Sequence, residues 1–165
     1  MADLIQRWQE QKDNPRHKKT KFIQKLRKLR GKELDELADT VHEEVFQSVD
    51  CLACANCCSS IPPMLNRTDI QRIAKHLGMK TAAFEETYLR MDEDGDMVMK
   101  ETPCPFLLPD NMCLIYEYRP RACREYPHTD QQSFSKHLRL HKTNAQYCPG
   151  VFHILDRMEK SMNNH

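Results

Sequence analysis

Apolar residues recur at helical spacing along most of the chain. Leu4, Ile5 and Trp8 share one face of a short first helix, which Asn14-Pro15 ends. From Arg16 to Arg30, Phe22, Ile23, Leu26 and Leu29 form a stripe, with Lys18, Lys19, Lys21, Lys25, Arg27 and Lys28 between them. This pattern predicts a basic amphipathic helix. Gly31 interrupts or bends it. Leu34, Leu37, Ala38, Val41, Val45 and Val49 then continue a stripe of period 3.6 that carries the chain to Cys51. Ile61-Pro62-Pro63 imposes an extended exit from the cysteines that follow. Thr68-Asp69 reads as a helix start with Thr68 as its cap. Ile70, Ile73, Ala74 and Leu77 form the buried stripe of that helix, and Gly78 stops it.

The second half is less periodic. A helix is expected over 82–89. Asp94-Gly95, between Met91 and Met97-Val98-Met99, predicts a turn and a short hairpin. Pro103, Pro105, Pro109, Pro120 and Pro127 make 103–128 irregular, with Asp110-Asn111 as a turn signal. That segment has too few periodic apolar residues to fold unaided, and metal ligation would supply the missing constraint. A helix is expected over 132–142. Another is expected over 151–162, with Val151, Ile154, Leu155 and Met158 inward. The fold class is mainly α with a small irregular or β-hairpin metal-bound subdomain, α+β being the neighbouring class.

Composition sharpens this reading. Residues 1–33 carry eleven Lys/Arg against four Asp/Glu, yet the whole chain of 165 residues has a net charge of +1. Residues 34–165 carry 14 Lys/Arg against 20 Asp/Glu, so a basic arm precedes an acidic, cysteine-bearing body. The expected domains are an N-terminal basic helical arm (1–49) and a cysteine-cluster metal-binding domain with a C-terminal helix (50–165). Four glycines disfavour a Gly-rich phosphate-binding fold. No run of 18 apolar residues predicts a membrane span, and the N-terminus lacks the layout of a signal peptide. The expected location is the cytoplasm.

There are eight cysteines: Cys51, Cys54, Cys57, Cys58, Cys104, Cys113, Cys123 and Cys148. In a reducing compartment such a set more often holds metal than disulfides. Thiolate is a soft ligand for zinc, iron–sulfur clusters and copper(I). Cys51, Cys54 and Cys57 form C-x-x-C-x-x-C, the run that bacterial ferredoxins use for a cubane cluster. Neighbouring side chains diverge, so Cys58 reaches a second metal or joins the distal set. The Asp110-Asn111 turn brings Cys104 and Cys113 together. Eight thiols suit two four-thiolate zinc sites, or one four-iron cluster with four thiols to spare, and spacing does not choose between them. Either centre needs compensating cations or N–H donors, and Arg119, Arg121 and Arg124 flank Cys123. His137 and His141 have the i, i+4 spacing of a helical metal pair, and His128 follows Cys123; a surface helix with two histidines is the commoner explanation of the pair. Tyr116 and Tyr126 are expected as core aromatics over the metal. Asp92, Glu93, Asp94 and Asp96 lack the ligand spacing of an EF-hand and read as a solvated turn.

Three motifs in order resemble the YkgJ-like family, a zinc- or iron-chelating domain of the CxxCxxCC type. They are Cys51-x-x-Cys54-x-x-Cys57-Cys58, then Cys104-Pro105-Phe106-Leu107, then Cys113 through Ile115-Tyr116-Glu117, Arg119-Pro120, Cys123-Arg124 and Tyr126-Pro127. The resemblance covers about residues 50 to 150. It implies that all eight cysteines are metal ligands. A flagellin lysine methylase is similar in carrying this pattern with iron–sulfur chemistry attached, but it is a longer chain, and no methyl-donor fingerprint is visible here.

The leading expectation is a protein holding zinc or iron, including a 4Fe–4S cluster, through these cysteines. One alternative is an iron–sulfur enzyme or redox protein, for example one transferring methyl groups to protein lysine. Another is an adaptor whose basic helix, residues 16–30, meets nucleic acid or an acidic protein.

Overall fold

The computed structural model describes residues 2–14, 19–29, 31–131 and 133–163. In chain order its regular elements are α1 (Ala2–Gln11), α2 (Thr20–Leu26), α3 (Gly31–Phe46), α4 (Cys51–Cys54), α5 (Asn56–Ser60), α6 (Arg67–His76), α7 (Thr81–Tyr88), β1 (Leu89–Met91), β2 (Met97–Met99), α8 (Arg121–Glu125), α9 (Leu138–Asn144) and α10 (Pro149–Asn163). Short 3₁₀ turns cover Tyr116–Tyr118 and Phe134–His137. The protein is mainly helical with one small antiparallel hairpin, as the pattern of apolar residues predicts.

Packing divides the chain into two compact units, residues 1–51 with 127–165, and residues 52–126. This line differs from the division by charge and cysteine content at residue 50.

In the first unit α10 packs on α3 and α1, and α2 packs on α9. The α3 stripe of Leu34, Ala38, Val41 and Val45 is buried as its spacing requires. Pro149 opens α10, where a missing N–H costs nothing. At Gly150 an added Cβ would lie 2.4 Å from Cζ of Phe46, so the α3–α10 contact is closer than any side chain would permit. Trp8, Leu26, Leu34, Ile154, Leu155 and Met158 are fully buried, each contributing roughly 1.5–3 kcal/mol by leaving water. Trp8 Nε1 donates to the Ala145 carbonyl at 2.9 Å.

Phe22, Ile23 and Leu26 of α2 are buried as predicted, but the helix is shorter than the stripe implied. Residues 15–18 and 30, and with them the Asn14-Pro15 break and both ends of the predicted basic helix, lie outside the described residues. Gly31 begins α3 rather than bending a longer helix. Part of the basic charge is spent internally: buried Lys19 Nζ lies 3.0 Å from Asp156 and 2.5 Å from Glu159.

The second unit has its own core of Leu65, Ile70, Ile73, Ala74, Phe84, Leu89, Met99, Phe106 and Ile115. Helix α6 starts two residues earlier than predicted. Its cap is Asn66, not Thr68: Asn66 Oδ1 accepts the Asp69 N–H at 2.8 Å, and the Asp69 carboxylate accepts the Asn66 N–H, a complete capping box. The hairpin pairs Leu89 with Met99 and Met91 with Met97. Its turn is closed by Asp92, whose carboxylate accepts the N–H groups of Asp94 and Asp96; the acidic run is a turn. The Pro62-Pro63 exit lies beside β2, where Leu65 N–H donates to Met97 and Met99 N–H to Pro63.

Candidate metal centre

The cysteine motif folds as two short helical turns, α4 and α5, separated by Ala55. Ala55 is buried and has φ 43°, a left-handed conformation that costs a non-glycine residue free energy. Such strain recurs at ligand clamps. Cys57 and Cys58 follow on α5 with their sulfurs 4.0 Å apart.

The distal segment comes to α5 through a backbone hydrogen bond. Cys104 N–H donates to the Cys58 carbonyl at 2.8 Å. From there the chain makes a small loop. Leu114 N–H donates to Phe106, Leu108 N–H to Met112, and Leu107 bridges Cys113. Asn111, at φ 66°, and the Asp110 carboxylate, accepting Met112 N–H, form the turn predicted at these two residues. Phe106 and Ile115 bury this loop in the core, with Cys104 and Cys113 packed against it.

Four thiols are mutually close enough to act on one another electrostatically. Burial pushes Cys104 up, and Cys58 and Cys113 push it further. Burial raises Cys113 as well, with Cys58 adding to the effect and Arg119 opposing it. Cys123 is pushed to about 12 by burial and then by Cys58, Cys104 and Cys113, again against Arg119. Cys54, raised by burial, is influenced by Cys58. Cys58 falls, to about 7, because the Cys57 thiol hydrogen-bonds to it. Cys58 thus lies within electrostatic reach of Cys104, Cys113 and Cys123.

Backbone donors complete the pattern. The N–H groups of Asn56, Phe106 and Ile115 each hydrogen-bond to the cysteine two residues earlier, and Leu107 adds a second donor to Cys104. N–H groups aimed at sulfur favour its thiolate form. No disulfide joins any of the eight cysteines. Among the described residues, no group of three or more His, Cys, Asp or Glu side chains stands in metal-ligating geometry. Cys51 and Cys148 belong to the other compact unit. Cys148 is buried there at the entry to α10.

Of the three predicted arginines, Arg119 is the one that lowers the distal thiols. Its guanidinium lies 3.8 Å over the Tyr116 ring and donates to the Tyr116 carbonyl at 2.6 Å. Arg121 pairs instead with Glu125 at 2.5 Å. Tyr116 is half exposed rather than a core aromatic. His141 is buried against Phe134, ring centroids 4.1 Å apart, and His137 stands edge-on to it at 6.3 Å. The predicted pair is thus split between core and surface. Asp69, in the first turn of α6, is 1% exposed.

A model of the CxxCxxCC family, described as "Putative zinc- or iron-chelating domain", matches residues 50–149. The chain belongs to this family. No curated protein and no solved structure matches it. The CxxCxxCC match spans all eight cysteines, and no helix among the described residues is long and apolar enough to cross a membrane.

Proposed function

We infer that the protein holds zinc or iron through cysteine thiolates, and that Cys58, Cys104, Cys113 and Cys123 form one four-thiolate set. Cys54 and Cys57 adjoin this set. The ligand roles of Cys51 and Cys148 rest on the sequence pattern.

The observation that carries this reading is the combination of clustered thiols with N–H groups directed at their sulfurs. Side by side and half-buried, such thiols cannot all ionise in the absence of a cation, since each thiolate raises its neighbours. The same backbone donors that would stabilise thiolate are nonetheless in place. A divalent or clustered metal resolves this conflict: it displaces the protons and supplies the positive charge, as soft-metal sites require. Arg119 and the backbone N–H groups then offset the remaining negative charge. The metal at minimum constrains a segment, residues 103–128, whose regular elements bury few side chains of their own.

The test is bound metal in Cys58→Ser, Cys123→Ser, Cys54→Ser and Cys57→Ser, each purified without oxygen. The first two are expected to lose the site outright, and the second two to lower its occupancy. Full metal retention in all four would overturn the assignment.

A further inference from the structure

Helix α6 presents two stripes. Ile70, Ile73 and Ala74 enter the core, while Asp69, Arg72 and His76, also at helical spacing, face the segment that leads to Cys123. Arg72 Nη2 donates to the Asp69 carboxylate at 2.6 Å, to the Tyr118 carbonyl at 3.2 Å and to the Arg119 carbonyl at 3.0 Å. Asp69 in turn accepts the Arg121 N–H with both oxygens at 3.2 Å. His76 stacks on Tyr118 with centroids 3.8 Å apart. The backbone on either side of Pro120 is therefore gripped from one helix face.

This grip stands where apolar anchoring is thin. Neither the Tyr116–Tyr118 turn nor α8 contributes a buried side chain. Between Ile115 and Cys123 only Pro120 is buried. Yet this stretch carries both Cys123 and Arg119. A cap needs only the Asn66 exchange, so the remaining bonds of Asp69 go beyond what ends the helix. Besides its bond to Asp69 within the helix, Arg72 Nη2 donates to two successive carbonyls of a remote loop. Fixing neighbouring backbone in this way is how outer partners orient metal ligands.

We propose that Asp69 and Arg72 are positioning residues for the thiolate site, clamping residues 118–121 so that Cys123 and Arg119 are held toward Cys58, Cys104 and Cys113. This rests on the metal-binding reading and adds to it a device outside the cysteine motifs.

The experiment compares the zinc-loaded full chain with Arg72→Met, Arg72→Lys and Cys123→Ser. Zinc release to a competing chelator and amide hydrogen exchange are both measured. Arg72→Met is expected to weaken zinc retention about 10- to 100-fold and to speed exchange of amides 119–124, with amides of α6 unchanged. Arg72→Lys, which keeps a cation beside Asp69, should recover much of the retention. Wild-type release and wild-type exchange at 119–124 in Arg72→Met would overturn the clamp, as would a uniform rise in exchange across α6 and the loop, the mark of general destabilisation. If the wild-type chain takes up no zinc or iron, the metal reading fails. The exchange pattern of the same variants then decides the clamp alone, selective loosening of 119–124 upholding it.

Discussion

At the scale of single residues, burial and neighbours separate chemically identical side chains. Cys58, held near 7 by the Cys57 thiol, should be the first cysteine alkylated by iodoacetamide in chelator-treated protein at pH 8. Cys123, pushed to about 12 by burial and by three neighbouring thiols, should be among the last. Peptide mapping of a time course checks the order. Because Cys123 keeps its proton at neutral pH until a cation displaces it, metal uptake should release protons, and affinity should rise with pH. His141 offers a separate test in the other compact unit. Burial first, then His137 and His128, lowers it to about 4, against 6.5 for an unperturbed histidine. As pH falls, the unfolded chain takes up this proton first. The stabilisation is therefore complete above about pH 6.5 and is lost between 6.5 and 4, to an extent on the order of 3 kcal/mol. His141→Leu should flatten that part of the pH–stability curve, read by denaturant midpoints at pH 7 and pH 4.5. An unchanged slope would contradict the assignment. None of these differences is legible in the sequence, where eight cysteines are equal and His137 and His141 look like a pair. Burial, which only the fold decides, is what distinguishes them.

At the scale of elements, helix stripes and turn residues were readable because they rest on local physics. The α3 and α6 stripes, the hairpin around Asp94-Gly95 and the turn at Asp110-Asn111 follow from spacing and turn chemistry alone. What misled was local competition. Thr68 and Asn66 both suit a cap, and Asn66 prevails because Asp69 lies three residues on and closes the capping box. Asn66→Ala should cost about 1 kcal/mol of stability, and Thr68→Ala much less; equal losses would refute the assignment of the cap. The contact of α3 with α10 gives a sharper case. Gly150→Ala drives a Cβ into the Phe46 ring, and overpacking of this kind costs typically 1–3 kcal/mol. Trimming the ring in Phe46→Leu should make the same substitution cheaper, so a double-mutant cycle should show strong coupling. Additive losses would place the cost elsewhere.

At the scale of the whole molecule, the class of fold and the family's cysteine motif were visible in the chain, whereas the grouping of segments was not. Helix α10 reads as a neutral amphipathic stripe, and nothing in its residues names α3 and α1 as its partners. The irregular stretch from Pro103 to Tyr126 similarly hides that it returns to Cys58, because the link is a backbone hydrogen bond from Cys104 rather than a side-chain signal. On the metal-binding reading, metal contributes to the stability of residues 52–126, while the buried helical stripes of the other unit stand without it. The most direct measurement is metal and acid-labile sulfide analysis of protein purified without oxygen, with the absorption spectrum of the same sample. Stoichiometric zinc with no visible colour, or stoichiometric iron, is expected, in either case lost in Cys58→Ser and Cys123→Ser. Folded, fully reduced protein with all eight thiols titratable and no bound zinc or iron, even after supply of both, would contradict the metal-binding reading.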